Sequence, residues 1–299
     1  MKNDGGQAQS TQRFLPKSTP PTLLPRLREL GLRPRKGLGQ HFLTDPNILQ
    51  AIVEAAELPA DAIVIEVGPG PGALTAALAP VAARLTAVEL DARLASLLAE
   101  LYQDWPNVHI LQGDALTLSP QQLLEQTGGM VTPYFVLGNI PYYITSPLLR
   151  HFLESRPPPA RLVFTIQLDV AKRVIARPPR MNLLALSAQV YAHPRIMRKL
   201  PPGAFTPPPK VHSAVLRLDL LPRPRVAPEQ GAAFFQMVRA GFGQKRKTLR
   251  NSLAAGLHLP ASVIEASLAA AGLAPRQRAQ ELDIEQWLCL LDHLPLSHA

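Results

Sequence analysis

The amino-acid sequence predicts an α/β fold, a mostly parallel sheet with helices on both faces, followed by a small all-α domain. Three observations carry that expectation. Short apolar runs alternate with segments of helical spacing from Asp61 onward. A glycine turn, Glu66-Val67-Gly68-Pro69-Gly70-Pro71-Gly72, closes the first run and opens the next helical segment. After the proline–arginine stretch at 221–225, four helical segments follow with glycines near their ends.

The elements follow in order. Residues 1–25 are polar and proline-bearing with no apolar period, so they read as a disordered basic tail; they lack the apolar run of a secretory signal. A cofactor-binding domain is expected over 26–221. Its strands are predicted at 62–67, 85–89, 108–112, 134–138 and 162–167, each a short apolar run. Helices are predicted between them at 74–81, 91–103, 120–126 and 146–154. Two further strands, 195–199 and 213–218, flank the run Phe205-Thr206-Pro207-Pro208-Pro209 and are expected to pair antiparallel at a sheet edge. The last domain, 222–299, carries predicted helices at 230–240, 247–257, 261–271 and 284–293.

Composition excludes several classes. The apolar share of 46% is ordinary for a globular chain, and no run reaches the ~18 apolar residues of a membrane span. The one cysteine, Cys289, excludes an internal disulfide and leaves little room for a Cys-rich metal site, so no metal is expected. It also points to a reducing compartment, hence a cytoplasmic chain. Charge is unevenly spread: residues 1–36 carry +6, residues 37–149 carry −9 and residues 150–299 carry +12. An acidic cofactor segment suits a cationic cofactor, and basic flanks suit a polyanion.

The candidate site residues sit at strand ends. Gly68 and Gly70 free the turn of Cβ atoms, so backbone amides can approach a ligand at the next helix's start. Glu89 lies 21 residues beyond Gly68, where an acid holds ribose hydroxyls. Asp114, in Gln112-Gly113-Asp114-Ala115, is placed to accept from an adenine amine. Asn139 opens Asn139-Ile140-Pro141-Tyr142; its amide oxygen can accept from an amine, and Tyr142 offers a flat face to a base. The glycine turn also fits the dinucleotide pattern G-x-G-x-x-A, but hydride transfer has no need of an amine-gripping box. Together these residues read as methyl transfer to the exocyclic amine of a base.

Over about residues 27–293 the chain resembles the small-subunit ribosomal RNA adenine dimethyltransferases. The resemblance rests on Gly39-Gln40-His41-Phe42-Leu43, the glycine turn, Glu89-Leu90-Asp91, Gly113-Asp114-Ala115 and Gly138-Asn139-Ile140-Pro141-Tyr142. It extends through Ala204-Phe205-Thr206-Pro207-Pro208-Pro209-Lys210-Val211 and Gln244-Lys245-Arg246-Lys247-Thr248-Leu249-Arg250. It implies a Rossmann-like domain that holds S-adenosylmethionine at His41, Leu43, Gly68, Glu89, Asp114 and Asn139. His41 stands where many members have Asn.

The implied reaction is dimethylation of adenine N6 amines, two adjacent ones, in small-subunit ribosomal RNA of an assembling particle, by a monomer. The alternative is the large-subunit, macrolide-resistance type, which shares the Asn-Ile-Pro-Tyr box. Phe205, between Ala204 and the rigid proline run, is expected to sandwich a base against Tyr142. Lys245, Arg246, Lys247 and Arg250 are expected to contact RNA phosphates.

Overall fold

The computed structural model describes residues 21–26, 29, 31, 33–35, 37, 39–125, 133–244 and 246–296. Among these, seven strands form one sheet: β2 (Ile63–Val67), β3 (Arg84–Glu89), β4 (Val108–Gln112), β5 (Tyr134–Asn139), β6 (Arg161–Gln167), β7 (Ala192–Leu200) and β9 (Ser213–Leu220). A separate two-residue ladder joins β1 (Phe42–Leu43) to β8 (Phe205–Thr206). The order across the sheet is β4-β3-β2-β5-β6-β9-β7.

Strands β2 to β6 are mutually parallel. Helices α2 (Ala73–Leu78), α3 (Ala92–Leu101), α4 (Pro120–Glu125) and α5 (Thr145–Leu153) connect them, which covers both faces. The central strand Ile63-Val64-Ile65-Glu66-Val67 is accordingly buried along its whole length, so it lacks polar alternation. From β2 the chain steps outward to β3 and β4, then returns to β5 on β2's other side. The direction of winding reverses between β2 and β5, and a crevice opens beyond their carboxyl ends.

The two late strands pair antiparallel, as the sequence led one to expect. Strand β9 is not peripheral, however: it lies between β6 and β7, leaving β7 as the edge. That edge carries Pro194, Arg195, Arg198 and Lys199 and a bulge near Ile196, features that blunt further strand addition.

Helix α1 (Pro46–Ala56) was not expected from sequence, nor were α6 (Leu168–Val174) and α7 (Leu183–Gln189). Helix α1 starts at Asp45, whose carboxylate accepts from the Asn47 amide, and stops at Glu57 in a left-handed conformation with φ 44°. Arg217, only 3% exposed, ties that end to the sheet. It donates to the Ala55 carbonyl at 3.0 Å and pairs with Glu57 and Asp219.

Helices α8 (Gly231–Phe242), α9 (Leu249–Leu257), α10 (Ala261–Ala270) and α11 (Ile284–His293) pack around buried Trp287. Their core takes in Met181, Ala185, Leu186 and Val190 from around α7, so the packing reaches back across the linker at 221–225. The tail expected over residues 1–25 needs a similar correction at its end. Leu23 is buried against Leu94, Leu98, Tyr102 and Trp105, and its amide donates to the Pro71 carbonyl at 2.8 Å. Residues 1–20 lie outside the described residues. Among the described residues no helix is long and apolar enough to cross a membrane.

Candidate active site

The crevice beyond β2 and β5 deepens into a cavity. Its wall includes the sequence-predicted residues His41, Leu43, Gly68, Gly70, Glu89, Asp114, Asn139 and Tyr142. Eight side chains or turns spread over about a hundred residues therefore converge as the strand-end argument requires.

The glycine turn sits over the end of β2. Gly68, Gly70 and Gly72 have φ of 69°, 55° and 85°, a left-handed backbone that side chains rarely adopt. A Cβ on Gly72 would approach Leu98 to 2.8 Å, so α3 also demands a bare position there. The turn is braced by Glu89 at the end of β3. One carboxylate oxygen accepts from the Gly70 amide at 2.9 Å and the other from the Asp91 amide at 2.9 Å. Burial pushes the Glu89 carboxyl above the usual carboxylate range, while those two amides pull against the shift. Each oxygen keeps a further lone pair for a ligand. Asp114, past the end of β4, accepts from the Leu116 amide at 2.9 Å, which fixes the carboxylate at the cavity wall.

A second part of the cavity wall is assembled from three distant segments. The Asn139 side-chain amide donates to the His41 carbonyl at 2.8 Å. That bond fixes the amide's orientation, and among the described residues no donor reaches its Oδ1, which remains an acceptor. His41 Nδ1 lies 2.7 Å from the Pro207 carbonyl. A carbonyl only accepts, so Nδ1 carries the proton and Nε2 is the nitrogen left for other partners. The Tyr142 hydroxyl shares a 2.6 Å hydrogen bond with Ser213, and its ring stacks on His41 with centroids 5.9 Å apart and planes inclined by 21°.

Phe205 departs from expectation. It does not line the cavity; it is 3% exposed and packs in the core with Leu43, Leu74, Leu200 and Ala204. The β1–β8 ladder explains this, because Phe205 pairs with Leu43 and both side chains enter the same core. The aromatic neighbour of Tyr142 is His41, not Phe205.

Glu66 is the residue that sequence reasoning passed over. It belongs to the cavity wall, is 1% exposed, and neither carboxylate oxygen has a hydrogen-bond partner; nor does the buried Thr75 hydroxyl. Burial pushes its carboxyl up to about 8. An acid inside the otherwise apolar run Ile63-Val64-Ile65-Glu66-Val67 was the available signal. Such an unpartnered acid, a bare glycine cradle and two strand-end carboxylates fit a cationic, ribose-bearing cofactor. Among the described residues no cluster suited to a metal ion occurs.

The basic run lies in the helical module. Arg246 and Lys247 are exposed in the turn before α9, and Lys245 lies outside the described residues. Arg250 is half-buried and ion-paired with Glu265 on α10 at 2.5 Å. That pair joins α9 to α10, so Arg250 differs from its two exposed neighbours.

Comparisons with known proteins place the chain among ribosomal RNA methyltransferases. The chain is 42% identical over 279 residues to the ribosomal RNA small subunit methyltransferase A of Dehalococcoides mccartyi, covering 90% of this chain and 94% of that protein. It is 42% identical over 276 residues to the protein of the same name from Moorella thermoacetica, covering 90% and 96%. Among solved structures it resembles the 23S rRNA methyltransferase ErmE, with TM-score 0.68 and 30% identity over 85% of this chain and 100% of that one. It also resembles a dimethyladenosine transferase from Plasmodium falciparum, with TM-score 0.67 and 25% identity over 84% and 96%. The model of the ribosomal RNA adenine dimethylases matches residues 31–295, and the chain belongs to that family.

Proposed function

We propose that this chain dimethylates the N6 amines of adenines, two adjacent ones, in the small-subunit ribosomal RNA of an assembling particle. S-adenosylmethionine is the methyl donor, and when bound it supplies a methyl group on an electrophilic sulfonium. The observation that carries the reading is Asn139: its amide nitrogen is held by the His41 carbonyl, so its oxygen stands as an acceptor in the cavity. The Glu89 and Asp114 carboxylates and the glycine turn line the same cavity.

The chain's own residues do the positioning. Adenine N6 is a poor nucleophile because its lone pair is delocalised into the ring. Asn139 Oδ1 accepts a hydrogen bond from one N6–H and favours a tetrahedral nitrogen whose lone pair is free to attack. Catalysis then rests on orientation and fixed dipoles, with no base needed beforehand. The methylated amine is strongly acidic and loses its proton afterwards. Tyr142, held by Ser213 and His41, offers the face on which the base rests. Extruding the base costs ~a few kcal/mol, of which one aromatic stack returns ~1–3 kcal/mol. Glu89, Gly68, Gly70, Asp114, Glu66, His41 and Leu43 hold the cofactor.

The small-subunit target is supported by relatives at 42% identity that carry the small-subunit name, against 30% for ErmE. Arg246 and Lys247, with Lys245, contact RNA phosphates, and the enzyme acts as a monomer in the cytoplasm. Labelled methyl transfer to unmethylated small and large ribosomal subunits, with mapping of the modified base, tests the proposal. Dimethylated adenine in the small-subunit RNA is the expected result. Label confined to the large subunit would establish the macrolide-resistance type, and label in neither would remove the activity.

A further inference from the structure

The two tyrosines of Pro141-Tyr142-Tyr143 diverge. They stand at successive positions of one tight 3-10 turn, Tyr142–Ile144, where neighbouring side chains project about a third of a turn apart. Tyr142 is anchored at both ends, by Ser213 at its hydroxyl and His41 at its ring. Tyr143 also belongs to the cavity wall, yet it is 60% exposed, and among the described residues nothing bonds its hydroxyl. No other large apolar or aromatic side chain among the described residues is as exposed.

One side of that ring is braced. It lies beside Gly39, whose φ is 59°, and a Cβ built there would meet Tyr143 Cδ1 at 3.4 Å and the Pro141 ring at 3.7 Å. One edge of the aromatic ring thus lies near the Gly39 backbone, while the ring as a whole stays largely exposed. Exposed aromatics scattered singly over a surface need no explanation. A braced ring at the mouth of a cavity that takes a base out of a nucleic-acid strand is a different case. Extruding one base strips its neighbour of a stacking partner, and an aromatic face replaces that partner whatever the neighbour's identity.

We infer that Tyr143 is a stacking platform for the nucleotide flanking the extruded adenine, a substrate-binding position distinct from the pocket that holds the reacting base. The inference rests on the RNA-methylating reading above and deepens it. The strand enters over Tyr143 and the target base turns inward past it to Tyr142. The segment beside the ring follows exposed Arg33, a cation suited to the strand's phosphates, whereas Arg35 is ion-paired with Asp91 at 3.1 Å.

The test compares Tyr143→Ala, Tyr143→Leu and Tyr143→Phe in the full chain. Labelled methyl transfer is measured against the concentration of unmethylated small subunits, and S-adenosylmethionine affinity is measured by calorimetry. Loss of stacking shared by ground and transition states raises KM for subunits with kcat little changed, and tenfold or more is the order expected of Ala and Leu. The Phe variant keeps the ring and should stay within about twofold of wild type, with cofactor affinity unchanged in all three. A wild-type KM in Tyr143→Ala overturns the platform. So does a Phe variant as impaired as Ala, or a cofactor affinity that falls in step with KM, since the ring would then merely hold the segment around Gly39 in place. Wild-type protein that methylates no small subunit overturns the underlying reading as well, and that outcome is read separately from the variants.

Discussion

Two parts of the cavity wall differ in how far apart their pieces lie along the chain. In the first, Gly68 and Gly70 follow the end of β2 and Glu89 ends the adjacent parallel strand β3, and Glu89 is bonded by the main-chain amides of Gly70 and Asp91. In the second, His41, Asn139, Tyr142 and Pro207 come from three segments, joined by side-chain bonds spanning 98 and 166 residues. Local parts held by backbone are rigid by construction. Distant parts held by side chains depend on the whole fold, so small substitutions there should disturb activity more than stability.

Phe205 breaks that comparison most strongly if it has been misplaced. As a core residue paired with Leu43, Phe205→Ala should cost ~3–5 kcal/mol of stability in chemical denaturation. Phe205→Leu should retain most turnover, because volume and not aromaticity is what the site requires. A stable Leu variant without turnover would restore a base-stacking role to this ring.

On the strand-end wall, Glu89→Ala should weaken S-adenosylmethionine binding by ~1.5–3 kcal/mol, the scale of hydrogen bonds to a charged group. Two amides lose their acceptor along with any ligand hydroxyl. Calorimetry giving an unchanged affinity would remove Glu89 from the cofactor site.

Glu66 sharpens the contrast through pH. Its folded-state carboxyl is raised from 4.5 to about 8 by burial, so the folded chain holds a proton that the unfolded chain has released. Stability of the ligand-free protein should therefore fall as pH rises from about 5 to about 8, at up to ~1.4 kcal/mol per pH unit for one proton. Glu66→Gln should flatten that slope in denaturation titrations. A wild-type slope in the variant would assign the pH dependence to other groups.

The smallest effect belongs to the basic turn. Removing Arg246 and Lys247 should reduce the slope of log subunit affinity against log salt by up to ~2 and leave cofactor affinity alone. Both side chains are exposed, so the fold should be indifferent. Unchanged salt dependence would place the RNA surface elsewhere.

What was legible in the sequence follows the same division. Parallel strands announce themselves as apolar runs, and strand ends identify Gly68, Glu89, Asp114 and Asn139 before any coordinates are known. The face taken by Phe205 was hidden, because it depends on a two-residue ladder with Leu43 from a segment about 160 residues away. Helices α6 and α7 were hidden for another reason: at seven residues each they carry barely two turns of periodicity. Leu23 sits in a polar, proline-bearing stretch where one apolar residue gives no pattern, and only its contact with Tyr102 and Trp105 reveals its burial.

The central claim is that the Asn139 amide oxygen orients the attacking amine. Single-turnover methyl transfer by Asn139→Ala, with cofactor affinity measured on the same preparation, tests it most directly. Affinity should stay within about tenfold while transfer slows by the ~10²–10³-fold typical of a lost transition-state contact. Near-normal single-turnover rates in a folded, cofactor-binding variant would contradict the account.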